Sequence, residues 1–141
     1  MPARVAEMPT WLVSRVYAHC RRLLADGFAS AGVRGYHYRL LAALEEFGQA
    51  SQAALGRRTS IDRSDVVAAL NDLAARGLIE RSPDPDDRRR NVITITPAGV
   101  EQLRNLDEIV VGVQERLLAP LSRADRAQLI ELLTRLLESA E

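Results

Sequence analysis

The chain's 141 residues, 47% of them hydrophobic, suffice for one domain with its own core or for one core shared between two subunits, and leave no room for a second independent domain. A single cysteine, Cys20, excludes an internal disulfide and a cysteine-based metal cluster; no apolar run approaches the roughly 20 residues that cross a bilayer, and the Met1–Met8 stretch lacks the apolar centre of a secretory signal, so the chain reads as cytoplasmic with no membrane association. The net charge is zero but unevenly spread, +2 over residues 1–50, +1 over 51–100 and −3 over 101–141, and all 19 basic residues are arginines.

In chain order, Pro9-Thr10 starts a first helix, with Thr10 able to cap its free amides and Leu12, Val16, Cys20 and Leu23 recurring at helical spacing as far as Ser30. Gly32 and Gly35 interrupt it. A second, short helix offers Tyr38, Leu41, Ala42 and Phe47 as buried positions and ends near Gly48; its start at Arg34-Gly35 lacks the usual hydroxyl cap. Ser51 caps a third helix over 52–58, and after the turn Thr59-Ser60-Ile61, Asp62 caps a fourth whose inward stripe is Val66, Ala69, Leu70 and Leu73. Gly77 stops it.

Residues 78–81 and 92–95 suit two short strands joined by the charged segment 82–91, a β-hairpin. Thr96 then caps a fifth helix with Pro97 at its first position, reaching Leu118. Beyond Pro120, Ser122 and Asp125 resemble a capping box that opens a last helix to Ser139. The fold class is mainly α with a small β-hairpin. The last two helices carry broad apolar faces, Val100, Leu103, Val110, Val113 and Leu117 on one and Leu129, Leu132, Leu133, Leu136 and Leu137 on the other, more than a lone helix pair can cover, which points to a homodimer, the alternative being a monomer with these helices folded onto its own core. With only His19 and His37, no serine or cysteine in a nucleophile motif and no glycine-rich phosphate loop after a strand, catalysis is not expected.

The stretch from Ala53-Ala54-Leu55-Gly56 through Leu73, followed by Arg76-Gly77-Leu78-Ile79-Glu80-Arg81, is similar to the helix-turn-helix of MarR-type regulators. The hairpin strengthens the match: Asp87-Arg88-Arg89 and then Ile93-Thr94-Ile95-Thr96-Pro97-Ala98-Gly99 resemble the family's D-x-R and L-T-x-x-G, with Ile95 in the leucine place. The resemblance spans nearly the whole chain and implies a winged helix-turn-helix. On that reading residues 1–141 form one domain, with 33–99 as the DNA-binding lobe and 10–31 and 97–140 as dimerisation helices that interlock with a twin subunit. It further implies a repressor without cofactor on a pseudo-palindromic duplex operator, released by a small aromatic or phenolic anion. Asp65, Val67 and Ala68 stand where many relatives carry threonine or serine and then arginine, so their base preference does not carry over.

A helix in the major groove reads base edges with the side chains near its N-terminus. Here these are Arg63, suited to a guanine, Asp65, suited to cytosine N4, and Ser64, suited to a base or a phosphate; Asp65 could equally be a helix-start acid with Arg63 as its solvated partner. Arg57, Arg58, Thr59 and Ser60 in the preceding turn are candidate phosphate contacts, the alternative being a plain surface turn. In the wing Arg88, Arg89 and Arg90 alternate in direction, and the resemblance favours Arg89 as the groove arginine with Asp87 holding it or a neighbour, the alternative being a solvated charge run. A wing without basic residues would instead have pointed to a protein-interaction module.

For the ligand, Trp11, Arg15 and His19 recur every four residues and form one stripe: a flat apolar wall, a bidentate carboxylate binder and a hydrogen-bonding ring. The resemblance adds Tyr36, His37 and Tyr38 from the segment that walls the family's pocket, between the lobe and the dimer helices, with Tyr38 in its aromatic position. The alternative puts Trp11 at the dimer interface, Arg15 against a partner's acid and His19 on the surface. Cys20 offers a redox-sensing repressor as the alternative function, although its place on the apolar stripe predicts a buried structural thiol.

Overall fold

The computed structural model describes residues 1–140. Its elements are α1 (Ala3–Ala6), α2 (Pro9–Ser30), α3 (Gly35–Phe47), β1 (Ala50–Ser51), α4 (Gln52–Thr59), α5 (Arg63–Ala75), β2 (Ile79–Pro83), β3 (Asn91–Ile95), α6 (Pro97–Leu118) and α7 (Arg123–Ser139). Two compact bodies result. One is Leu24–Val110, wider than the expected 33–99 lobe; the other joins Met1–Leu23 to the chain from Val111 onward.

The core of the Leu24–Val110 body is built from Leu40, Leu41 and Leu44 of α3, Leu55 of α4, Val66, Leu70 and Leu73 of α5, Ile93 of β3 and Leu106 of α6, all but fully buried. These are the inward positions of amphipathic helices, three or four residues apart. The expected hairpin is present as β2 and β3, antiparallel with Arg81 opposite Ile93, but the sheet has a third member: β1 pairs with β3 through Ala50 and Ile93, giving the order β1-β3-β2. Two residues are too few to carry a period, so β1 is invisible in the sequence. The single turn α1 is a further element the sequence did not announce, and it buries nothing.

Caps behave unevenly. Ser51 Oγ accepts from the Ala54 amide at 3.2 Å and Ser122 Oγ from the Asp125 amide at 3.1 Å, although Asp125 does not return the bond that would complete a capping box. Asp62 stands at the N-cap of α5 without making a side-chain cap bond, a correction to the expectation. Helix α2 begins at Pro9, so Thr10 lies inside it.

The α5–β2 turn and the β3–α6 junction are locked together. Gly77, at φ +73°, ends α5 in a left-handed turn in which the Leu78 amide reaches the Leu73 carbonyl at 3.0 Å and the Gly77 amide the Ala74 carbonyl at 3.0 Å. Thr96 Oγ1 donates to the Gly77 carbonyl at 2.7 Å and accepts from the Gly99 amide at 3.0 Å, while the Thr96 amide donates to the Leu78 carbonyl at 3.1 Å. Any Cβ on residue 99 would collide with the Leu78 carbonyl and the Ile95 side chain, so this position admits only glycine. The T-x-x-G motif is thus the clasp that fixes the wing's base to the end of α5.

In the second body, Arg126 of α7 bonds the Glu115 carboxylate of α6 at 3.0 Å. The same body leaves Val16 and Tyr17 of α2, Val111 of α6 and Ile130, Leu133, Leu136 and Leu137 of α7 exposed.

Candidate nucleic-acid interface

Between the start of α5 and the wing lies an open cleft of about 750 Å³. Arg57 of α4, Arg63 of α5, Arg81 of β2, Arg89 and Arg90 of the wing line it, over a floor that includes Ile61, Val66 and Ile93; no acidic side chain is among its lining residues. Five guanidinium groups on one concave surface repel one another unless anions accompany them. The zero net charge of the chain therefore hides a local excess of arginine, offset in part where Asp87 pairs with Arg89 and Arg90.

The wing's tip is organised by one carboxylate. Asp87 Oδ1 accepts from the Arg89 amide at 3.0 Å and from Arg89 Nε at 3.3 Å, and Oδ2 accepts from Arg90 Nε at 3.3 Å. The Arg89 amide bond and the two guanidinium groups hold the Asp87 carboxyl below the usual carboxylate range. Arg89 remains 92% exposed while so oriented, which leaves most of its donors free for an incoming acceptor.

Not every expected contact faces this cleft. Thr59 is buried, its hydroxyl donating back to the Leu55 carbonyl at 2.6 Å and its carbonyl accepting from Arg39 Nη1 at 3.0 Å, so its side chain is spent inside the fold and the phosphate contact expected of it is corrected. Arg58 packs over the Phe47 ring, 5.4 Å from its centroid. Ser60 is exposed in a left-handed conformation, φ 53°, that turns the chain between α4 and α5. Ser64 and Arg88 are exposed outside the cleft lining, and Asp65 faces away from the wing into a second, smaller hollow.

The family model for the MarR family matches residues 31–90. The chain is 38% identical over 105 residues to a putative transcriptional regulatory protein for the hcr operon of Thauera aromatica, covering 74% of this chain and 63% of that relative's length. It is 26% identical over 140 residues to the HTH-type transcriptional repressor NicR of Pseudomonas putida, covering 99% of this chain and 89% of NicR. Its fold matches a crystal structure of a probable transcriptional regulator from Pseudomonas aeruginosa with a TM-score of 0.81 at 31% identity, over 93% of this chain and 98% of that one. The chain belongs to the MarR family.

Reading from sequence missed Arg81 as a cleft residue of this MarR-family chain, because the strand pattern gives its face but not whether that face meets core or cleft. Arg81 is two residues beyond the buried Ile79 on β2, hence on the same face of the strand, and where the core ends that face looks into the cleft. Gln52 and Asn91 also line it.

Tyr36, His37 and Tyr38 do not converge. Tyr38 packs on Phe28, ring centroids 5.5 Å apart, and its hydroxyl donates to Asp107 Oδ1 at 2.7 Å; burial, the Asp107 bond and the charges of Asp107 and Glu45 push the phenol up to about 12. Tyr36 lies under the Arg39 guanidinium at 5.3 Å and, with His37, borders the hollow on the far side of α5. Successive helix positions point about 100° apart, which accounts for the split. On α2, Trp11 is half-buried and Arg15 and His19 are exposed. Cys20 is half-buried rather than enclosed as expected of a structural thiol.

Proposed function

We propose that this protein is a homodimeric transcriptional repressor that reads a pseudo-palindromic operator with α5 in the major groove and the wing beside it, and that a small aromatic anion releases it. The arginine-lined, acid-free cleft between α5 and the wing carries the reading. Arg63 on α5 meets base edges, and Arg57, Arg81, Arg89 and Arg90 meet backbone or minor groove. The name of NicR supports repression, and the exposed apolar side chains of α2, α6 and α7 support a twin subunit. The Trp11, Arg15 and His19 stripe on α2 supports an aromatic carboxylate as effector, which acts by binding preferentially to the shape that cannot hold DNA. The protein then works in the cytoplasm, beside the DNA.

Gel-shift titration on the chain's own promoter region, repeated across salt concentrations, tests this. Arg89→Ala weakens binding on all sequences and flattens the salt dependence by about one unit of log-log slope, whereas Arg63→Ala relaxes preference at particular base pairs at a cost of about 1–3 kcal/mol. Equal losses on operator and random duplex for Arg63→Ala would remove it from base reading, and no duplex binding by the wild type would end the proposal.

A further inference from the structure

On the side of α5 away from the wing is a hollow of about 280 Å³ bordered by Arg34, Tyr36, His37, Asp65, Ala68, Ala69 and Asp72. His37 is its buried member, 6% exposed, and both its ring nitrogens are engaged. Nδ1 accepts from the Arg34 backbone amide at 2.8 Å, which caps α3, and Nε2 lies 2.8 Å from Asp72 Oδ2 on α5. A nitrogen that accepts from an amide carries a lone pair, so the ring's one proton sits on Nε2 and is donated to Asp72. Arg76 Nη2 holds the same carboxylate oxygen at 3.2 Å.

The other buried side chains of the two helices in the same core include Leu40, Leu41 and Leu44 of α3 and Val66, Ala69, Leu70 and Leu73 of α5, all apolar. Apolar packing is non-directional; it holds two helices together but fixes the rotation of one about its axis less strictly than a hydrogen bond of defined direction. Asp72 is on the α3-facing side of α5, while Arg63, two and a half turns earlier, looks into the cleft. Fixing the rotation at Asp72 therefore aims Arg63.

We infer that His37 is a positioning residue for DNA reading, bridging the start of α3 to Asp72 of the recognition helix, and that both ends of the bridge are made only with the imidazole neutral. The inference rests on the DNA-reading function proposed above. Protonation leaves the Nε2 bond to Asp72 in place but turns Nδ1 into a donor facing the Arg34 amide, also a donor, so the ring loses its anchor at the start of α3 and no longer holds Asp72 in a fixed direction. The titratable and charged groups that face the ring are Arg34 and Tyr36 beside it on the α3 side and Asp65, Asp72 and Arg76 on α5. Burial lowers the imidazole below its ordinary 6.5; the charge and hydrogen bond of Asp72 oppose this, and the guanidinium groups of Arg76 and Arg34 act with burial.

The test measures operator affinity between pH 5 and 8 for the wild type, His37→Gln and His37→Leu, with the imidazole nitrogen shifts of the wild type read by NMR. A glutamine side chain also offers an acceptor and a donor but does not titrate. The wild type loses about tenfold in affinity as the imidazole protonates, the worth of about one hydrogen bond. His37→Gln binds as the wild type does at pH 8 and stays flat, and His37→Leu is about tenfold weaker throughout with unchanged circular dichroism. A flat wild-type profile, a profile in His37→Gln like that of the wild type, or an Nδ1-protonated ring in the NMR overturns the inference. If the wild type binds no duplex at any pH, the DNA-reading function fails and this role with it, while the NMR still reports separately whether the bridge is present.

Discussion

Arg81 Nη2 donates to Asn71 Oδ1 at 2.8 Å, a bond that ties the wing strand β2 to the recognition helix α5. Arginine has five donors, and this bond occupies one while steering the rest toward the cleft that Arg81 lines. Arg81→Ala is expected to weaken duplex binding and to lower the salt slope by about one. Asn71→Ala keeps the charge, so the slope stays, and costs about 0.5–1.5 kcal/mol of operator affinity through lost aim. The double variant decides the matter: losses that simply add would mean the pair is not coupled on DNA.

Asp87 gives a prediction whose sign separates organisation from charge. Replacing it with alanine makes the wing more positive, and if only net charge mattered duplex affinity would rise. The Asp87 carboxylate instead orients Arg89 and Arg90, so Asp87→Ala is expected to lower operator affinity with little effect on folding. Because its carboxyl is held below the ordinary range, the order it confers is present above the unfolded value and is lost as pH falls through the folded one. Operator titrations of the variant and the wild type at neutral pH check the first part, and wing amide shifts followed into acid check the second.

Gly99→Ala should destabilise the Leu24–Val110 body by about 1–3 kcal/mol or more, since the added methyl meets the Leu78 backbone rather than a side chain that can move aside. Thr96→Val removes the clasp's hydroxyl and leaves the Gly99 amide without its acceptor, at an expected cost of about 1–3 kcal/mol. Urea unfolding reads both. Wild-type midpoints for either variant would deny the clasp its role.

These elements also mark what the sequence could and could not tell. Helices α2 to α7 were legible because each carries apolar side chains at helical spacing, and because Ser51, Thr96 and Ser122 have oxygens that find amides. Asp62 has the same chemistry in the same position and makes no such bond, a difference of geometry that residue type does not encode. Among the cleft residues, Arg57, Arg63, Arg89 and Arg90 were found by motif position, whereas Arg81 was hidden because a strand's inward face changes from core to cleft only where the fold ends beneath it. Thr59 was misread because hydroxyls in turns and at helix ends look alike until the chain is folded. The direction of His37 toward Asp72, thirty-five positions later, is a tertiary fact with no local signal.

The effector reading stands on Arg15. Benzoate- and salicylate-like acids, screened by thermal shift and by operator release, are expected to stabilise the free protein and displace DNA. Arg15→Ala should weaken that response about tenfold or more, the worth of a charge-assisted bond of about 1.5–3 kcal/mol. An unchanged response in Arg15→Ala, or none in the wild type, would remove the α2 stripe from ligand binding.

The exposed leucines of α7 give the sharpest test of assembly. Leu133 is 46% and Leu136 62% exposed in the single chain, so glutamates at both positions would sit in water and leave an isolated subunit folded. Within a dimer interface the same carboxylates would be desolvated without partners, at a cost of several kcal/mol each. Sedimentation of Leu133→Glu/Leu136→Glu is therefore expected to show monomers of unchanged helix content where the wild type gives dimers. Operator binding should fall with it, because a two-fold site about 34 Å from half to half is engaged tightly only when both recognition helices arrive on one particle. A variant that still sediments as a dimer would place the interface elsewhere on the chain, and a wild type that binds its operator as one subunit would overturn the dimer itself.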